Sequence, residues 1–159
     1  NVFQYMIGNT DFSLIQGVDE NDCCHNSVPM TATGGAPYIP VPYDFDSAGI
    51  VDAPYAAPSE SLPIRSVRER HYRGLCEHNA YVAGILSDIL RKRPEIEALY
   101  RGQAELPPER DDDALAYLGE FFELAADPEA VMASRSWPSP ISTACCWRTG
   151  RPSNRWSTV

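Results

Sequence analysis

Hydrophobic positions recur at helical spacing near the start of the chain and again through most of its second half. Residues 2–7 carry apolar side chains on one helical face, and Gly8 and Asn9 predict its end because both tolerate left-handed backbone geometry. The chain opens inside this pattern and without Met, so we expect it to be a fragment of a longer protein. The helices predicted in the second half cover residues 78–92, 94–101, 107–126 and 128–133.

Two short extended segments lie between the helical regions. Residues 27–33 and 38–43 flank a Gly-Gly turn signal, and this order predicts a β-hairpin. Pro29 interrupts the first strand, and Pro40 and Pro42 remove backbone donors from the second. The hairpin is therefore expected to consist of edge strands or poorly paired strands.

A pair of carboxylates leaves the end of the predicted hairpin. Asp44 and Asp46 flank Phe45 there, and an extended backbone would point both carboxylates to one face and Phe45 to the other. Residues 48–63, which contain three prolines, are expected to form a loop. The pattern as a whole predicts an α+β fold over residues 1–133, with a small hairpin-based sheet beside a helical bundle.

The end of the chain differs in character from everything before it. Residues 134–159 contain four Arg, no acids and all three Trp, without sustained apolar periodicity. No pattern in this segment would bury it in a core. We therefore expect an atypical tail that is non-native or disordered, such as a frameshift product, and assign it no function.

Charge is distributed unevenly along the chain. The net charge is −9, and residues 1–60 hold eight Asp or Glu but no Lys or Arg. A nucleic-acid surface needs clustered Lys and Arg, so DNA or RNA binding is not expected. An acidic segment can bind a phosphorylated ligand through a divalent cation, and it can equally be a solvated surface. No run of about 18 apolar residues is present, so no membrane span is predicted.

Five cysteines are present, and four of them form two adjacent pairs. An odd number with adjacent pairs is not the pattern of a disulfide framework. The run Cys23-Cys24-His25 has residue types found in zinc sites, but structural zinc sites separate their cysteines by two to four residues. A zinc site is therefore not expected.

Three polar residues stand beside short apolar segments in the order that phosphoryl transfer requires. Such a site needs a carboxylate that accepts or orients the attacking hydroxyl, and carboxylate and amide oxygens that hold magnesium. Asp11 fits the first role, and Asn26 and Asp44 fit the second, with Asp46 as a further candidate ligand. Each also has a structural interpretation: Asp11 as a turn or cap residue, Asn26 as a loop residue, and the later acids as turn formers.

A basic segment, residues 65–73, follows the acidic half of the chain. It contains four Arg and one His, ends before Gly74, and is expected to be a short helix. We favour pairing of its cations with the acidic half. Contact with an anionic substrate is the alternative.

The candidate residues lie in motifs that resemble those of atypical kinases. Gly8-Asn-Thr-Asp11, His25-Asn26 and Tyr43-Asp-Phe-Asp46 resemble the catalytic-loop and metal-loop pattern of the spore-coat protein H (CotH) kinases and their bacterial relatives. The resemblance covers about residues 1–75, and the later helices would complete a kinase-like large lobe. By this resemblance Asp11 is the catalytic base, Asn26 binds magnesium, and Asp44, with Asp46 as second candidate, provides the other metal position.

The resemblance implies a bacterial phosphotransferase that uses ATP and Mg²⁺ and acts on a protein hydroxyl. It also implies a small lobe with a nucleotide-binding Lys upstream of Asn1, because no Lys precedes Lys92 in this chain. Two alternatives stay open. One is a non-catalytic binding or structural module with a kinase-like skeleton, and the other is a hydrolase that uses Asp11 and Asp44 as its carboxylate pair.

Overall fold

The chain folds as α-helices beside a two-stranded antiparallel sheet, so the predicted α+β class is confirmed. The computed structural model describes residues 1–15, 17, 23–103 and 107–133, and the predicted atypical tail, 134–159, lies outside them. A 3₁₀ turn, Cys76–His78, precedes the second helix. The helices are α1 (Val2–Ile7), α2 (Asn79–Arg91), α3 (Arg93–Arg101), α4 (Pro108–Ala125) and α5 (Pro128–Ala133), and the strands are β1 (Ser27–Met30) and β2 (Ile39–Pro42).

The predicted end of the first helix is confirmed at Gly8. Its φ of 68° and ψ of 26° lie in the left-handed region, which glycine reaches without strain. The Gly8 N–H donates to the Tyr5 carbonyl at 3.2 Å, and the Asn9 N–H donates to the Gln4 carbonyl at 2.8 Å. These bonds satisfy carbonyls at the helix end and turn the chain, so that the loop containing Asp11 begins directly beside α1.

The predicted hairpin is confirmed, although its strands are shorter than expected. Almost every residue of the two strands is exposed or half-buried, so the sheet adds little to the core. The chain enters β1 directly from Asn26 and leaves β2 two residues before Asp44. Both ends of the hairpin therefore lie at candidate site residues. The antiparallel register pairs Ser27 with Pro42, Val28 with Val41, Pro29 with Pro40, and Met30 with Ile39.

The core lies where α1, α2, α4 and α5 meet. Tyr5 of α1 packs edge-on against Tyr72 and Phe121, with ring centroids 5.8 and 6.1 Å from its own. On α2, Val82 and Leu86 are buried and Ile89 and Leu90 pack half-buried against the core, whereas Tyr81 and Ile85 are exposed. Every helix in the described part of the chain is too short or too polar to span a bilayer. The buried residues of α4, the helix predicted over 107–126, include Leu118, Phe121, Phe122 and Ala125 and recur at helical spacing.

The basic segment is not helical, so that prediction is wrong. Its arginines reach separate partners instead of lining one helical face. Arg68 donates to both carboxylate oxygens of Asp113, at 2.8 and 3.2 Å, and lies 3.5 Å from Asp52. Arg70 donates to Glu120 at 3.3 Å. The segment thus pairs with acids, as we favoured, but mainly with acids of α4.

Two glycines bring the end of α1 against the loop that follows β2. The Gly49 N–H donates to the Gly8 carbonyl at 3.1 Å, and the Ile50 N–H donates to the Ile7 carbonyl at 3.0 Å. The Tyr117 hydroxyl lies against both glycines, where a Cβ on either would overlap it. This close approach fixes the loop that begins at the end of α1 relative to the loop that follows the hairpin.

Candidate functional site

Asp11 lies in the loop just past α1, and three neighbours hold it. Its backbone N–H donates to Asn9 Oδ1 at 2.9 Å, in an Asx-type turn. Its Oδ1 lies 2.9 Å from His25 Nε2, and its Oδ2 accepts a hydrogen bond of 3.1 Å from Asn26 Nδ2. The Asp11 side chain is still 47% exposed. A carboxylate that is fixed in direction and open to solvent can accept a proton from a bound hydroxyl.

Asn26 stands immediately before β1 and is buried, with 7% of its surface exposed. Its φ of 50° lies in the left-handed region, which Asn adopts more readily than most residues. Its Nδ2 donates to the Asp11 carbonyl at 2.8 Å as well as to the Asp11 carboxylate, across fifteen residues of sequence. Because the amide nitrogen is engaged by Asp11, the amide oxygen is the atom of Asn26 that can bind a cation.

Asp44 follows β2 and is joined to Asp11 through the side chain of Asn9. Asn9 is 1% exposed, and its Nδ2 donates to the Asp44 carbonyl at 3.3 Å. The Tyr43 N–H donates to the Asn26 carbonyl at 3.4 Å. Contacts therefore run without a break from Asp11 to Asn26, Tyr43, Asp44, Asn9 and back to Asp11. We call these five residues the site ring.

The backbone does not stay extended from Asp44 to Asp46, so the condition under which both carboxylates would share one face is not met. The Asp46 N–H lies 3.4 Å from Asp44 Oδ1, and the residues that follow form a turn. The negative charge of Asp46 raises the pKa of exposed Tyr55, with smaller contributions from desolvation, a hydrogen bond to Asp46 and the charge of Asp44. Both carboxylates thus act on one neighbour, although the backbone does not align them.

Three residues here carry oxygen atoms of the type that magnesium takes. Mg²⁺ is bound through one or two carboxylates and keeps several waters, and the candidates are Asp44, Asp46 and the side-chain oxygen of Asn26. The hydroxyl of Ser27, next to Asn26, is buried without a hydrogen-bond partner among the described residues. Within the same ranges, no three His, Cys, Asp or Glu side chains group as a metal site would require.

Two residues of this arrangement, Asn9 and His25, have no function in the sequence-based interpretation. The spacing of Asn9 and Asp11 is a usable signal, because Asn often accepts from the N–H two residues on. His25 is placed by a backbone bridge to Ser13, in which each N–H donates to the other carbonyl at 3.0 Å. A pairing of that kind leaves no local pattern in the sequence.

Comparison with known proteins assigns no family to the chain: no family model, curated protein or solved structure gives a significant match. The function is therefore argued from the geometry of the site.

Proposed function

We propose that this chain is the large-lobe part of a bacterial kinase-like phosphotransferase that depends on ATP and Mg²⁺. The observation that supports it most is the site ring, which joins Asp11, Asn26 and Asp44 although they are distant in sequence. Phosphoryl transfer needs a carboxylate for the acceptor and oxygen ligands for magnesium in one place. Residues that only formed turns would not need to be connected to one another.

In this proposal the hairpin-based sheet carries the metal loop, and the helices form the body of the lobe. Asn26 precedes β1, and Asp44 and Asp46 follow β2, so the hairpin holds both metal-binding positions at its base. The hydrogen bond between Gly49 and Gly8 then connects this end of the hairpin to the end of α1. These backbone hydrogen bonds connect the segment that carries Asp11 with the segment that carries the proposed metal ligands.

Asp11 is the base of the proposed reaction. Its carboxylate accepts a hydrogen bond from the acceptor hydroxyl and takes its proton as the hydroxyl oxygen bonds to the γ-phosphorus of ATP, while the bond from that phosphorus to the bridging oxygen breaks and ADP leaves. His25 and Asn26 each contact one carboxylate oxygen, and each oxygen keeps a further lone pair for the substrate. Such positioning supplies much of the rate enhancement in phosphoryl transfer, because the protein forms no covalent bond to the substrate and acts mainly by orienting the reactants.

Asn26 and Asp44, with Asp46, would hold magnesium through oxygen atoms. A bound Mg²⁺ supplies the positive charge that offsets the phosphates, and residues 1–60 contain no Lys or Arg that could do so. A hydroxyl group of a protein is the acceptor class that we propose.

Calorimetric titration of ATP, with and without Mg²⁺, into the full-length product of the gene tests this proposal. We expect binding that requires Mg²⁺ and is lost in Asp44→Asn, because the amide removes the charge that holds the ion. Asp112→Asn is the matched control, since Asp112 is exposed on α4 and far from the site in sequence. Its binding should equal that of the wild type.

Equal binding by Asp44→Asn and the wild type would remove Asp44 from the metal site. Absence of ATP binding by the wild type in both conditions would overturn the phosphotransferase proposal. The non-catalytic module would then be favoured, with Asp11, Asn26 and Asp44 acting as turn formers.

A further inference from the structure

We propose that Arg73 is a positioning residue of this site, which fixes the backbone on both sides of Asp11. The inference rests on the proposed function, because Asp11 is the base only if the chain transfers phosphoryl groups. It concerns the last cation of the basic segment, for which the sequence offers two uses: pairing with acids or contact with an anionic substrate. The structure gives Arg73 a third use.

A single nitrogen of Arg73 reaches the residues that flank Asp11. Its Nη1 donates to the Thr10 carbonyl at 2.6 Å and also to the Phe12 carbonyl. These contacts span 63 and 61 residues of sequence. The guanidinium also lies over the Phe12 ring, 5.2 Å from its centroid. Arg73 therefore holds the peptide group between Thr10 and Asp11 and the one that follows Phe12, together with the Phe12 side chain.

These contacts complement those within the site ring. Asn9 and Asn26 hold the N–H, the carbonyl and one carboxylate oxygen of Asp11. Arg73 holds the two carbonyls next to them, so the backbone around Asp11 is fixed from several directions. A base displaced by about 1 Å can lose about a hundredfold in rate. Loss of Arg73 should therefore affect the chemical step more than it affects nucleotide binding.

Arginine suits this position better than lysine does. Its planar group presents donors in fixed directions and can stack on an aromatic ring, whereas an ammonium is a point donor. Burial lowers the pKa of Arg73, and the charge of Asp11 opposes that shift. Lysine at this position should keep the charge but lose part of the bridge.

The test compares Arg73→Met with Arg65→Met in the full-length protein. Arg65 is exposed in the same segment, so its change matches the loss of charge and length. One measurement is hydrogen exchange of the Asp11 amide, with the Phe121 amide of α4 as an internal reference. The other is the Mg²⁺-dependent release of phosphate from ATP to water, together with the dissociation constant of Mg·ATP.

We expect Arg73→Met to exchange the Asp11 amide at least tenfold faster and to leave the Phe121 amide unchanged. It should lower kcat at least tenfold while the dissociation constant changes less than threefold. Arg73→Lys should recover part of both losses, and Arg65→Met should match the wild type. If Arg73→Met does not fold, Arg73→Lys against Arg65→Lys carries the same comparison.

Unchanged exchange at Asp11 in a folded Arg73 variant would overturn the inference, and so would a kcat within twofold of the wild type. A loss of kcat that only follows the unfolded fraction, measured by circular dichroism, would also overturn it. Failure of the proposed function has a different result, because the wild type would then bind no Mg·ATP. The exchange measurement needs no activity and still decides whether Arg73 fixes the Asp11 loop.

Discussion

The side-chain amide of Asn9 donates to the backbone carbonyl of Asp44 at 3.3 Å, across 35 residues of sequence. The same side chain accepts from the N–H of Asp11 at 2.9 Å. Asn9 is 1% exposed, so these bonds replace contacts with water. One buried amide thereby connects the proposed base with the proposed metal loop. Its oxygen accepts from Asp11, and its nitrogen donates to Asp44.

Replacement of Asn9 by Asp should separate these two functions. The carboxylate still accepts from the Asp11 N–H, but it cannot donate to Asp44 and it buries a negative charge beside a carbonyl. We expect the free energy of unfolding to fall by about 1–3 kcal/mol, as measured by urea denaturation at pH 7. Binding of ATP in the presence of Mg²⁺ should weaken in the fraction that stays folded.

Gln103→Glu is the control for that experiment. The exposed Gln103 donates from its side-chain amide to the Leu99 carbonyl at 3.0 Å, so this change removes the same kind of donor at the surface. The control should therefore change the free energy of unfolding by at most about 0.5 kcal/mol. An Asn9→Asp protein as stable as this control would show that the amide bridge contributes nothing to folding.

The helices of the second half could be predicted because their signals are local. Apolar spacing and prolines at the starts locate α3, α4 and α5 to within about two residues, as is usual for such patterns. Gly8 likewise gave the end of α1 through its conformational freedom alone. The hairpin followed from two extended segments around a glycine turn.

The parts that could not be predicted depend on contacts between distant residues. The spacing of Arg68 and Arg73 in the sequence does not indicate what either side chain contacts. Their partners lie 45 and 63 residues away in the sequence. The turn between Asp44 and Asp46 depends on hydrogen bonding of an Asp side chain to the backbone, which competes with an extended strand. His25 is beside Asp11 only because of a bridge to Ser13.

Two glycines should respond in opposite ways to replacement by alanine. A Cβ at Gly8 would overlap the Tyr117 hydroxyl, and alanine is strained at its φ of +68°. A Cβ at Gly84, in α2, meets nothing within 4 Å. We expect Gly8→Ala to lower the free energy of unfolding by about 2 kcal/mol or more. Gly84→Ala should raise it by about 0.5–1 kcal/mol.

Urea denaturation of the two variants at pH 7 measures both changes in the free energy of unfolding. A double variant, Gly8→Ala with Tyr117→Phe, tests whether the Tyr117 hydroxyl causes the loss at Gly8. The double variant lacks the overlapping oxygen, so it should recover part of the loss. Equal effects of alanine at 8 and 84 would contradict the close approach of α1 and α4.

The stability of the protein should depend on Tyr117 at alkaline pH. Burial raises the pKa of Tyr117 above 10.0, and the charges of Arg70 and Arg68 oppose the shift. Its neutral form is thus favoured in the folded state, and the associated stability is present below pH 10 and lost as the pH rises through the folded-state pKa. Tyr117→Phe should therefore lose less stability than the wild type as the pH rises above 10.

Tyr117→Phe should not destabilise the protein at neutral pH. The Tyr117 hydroxyl is buried without a hydrogen-bond partner among the described residues, so its removal should leave the free energy of unfolding unchanged or raise it by up to about 1 kcal/mol. Urea denaturation at neutral pH and above pH 10 measures the free energy of unfolding of each variant. Tyr81→Phe is the control, because Tyr81 is exposed. A parallel alkaline loss in Tyr117→Phe and the wild type would exclude Tyr117 as the group responsible.

The ion pair of Arg68 and Asp113 should make a measurable contribution to stability. Its two hydrogen bonds are 2.8 and 3.2 Å, and both side chains are partly buried, at 31% and 42% exposure. A double-mutant cycle with Arg68→Ala and Asp113→Ala should give a coupling of about 0.5–1 kcal/mol that falls with added salt. The pair of Asp88 and Arg91, which is more exposed, should give less. Equal coupling for both pairs would contradict the role of partial burial.

The prolines of the hairpin have a consequence for how molecules of this protein behave at high concentration. Proline donates no hydrogen bond, so the paired positions Pro29 and Pro40 must be ones whose N–H groups would face away from the partner strand. Pro42 lies two residues further and has the same orientation. The outer borders of both strands therefore offer few donors to an incoming strand. The protein can expose Val28, Met30, Ile39 and Val41 while its hairpin remains a poor template for aggregation.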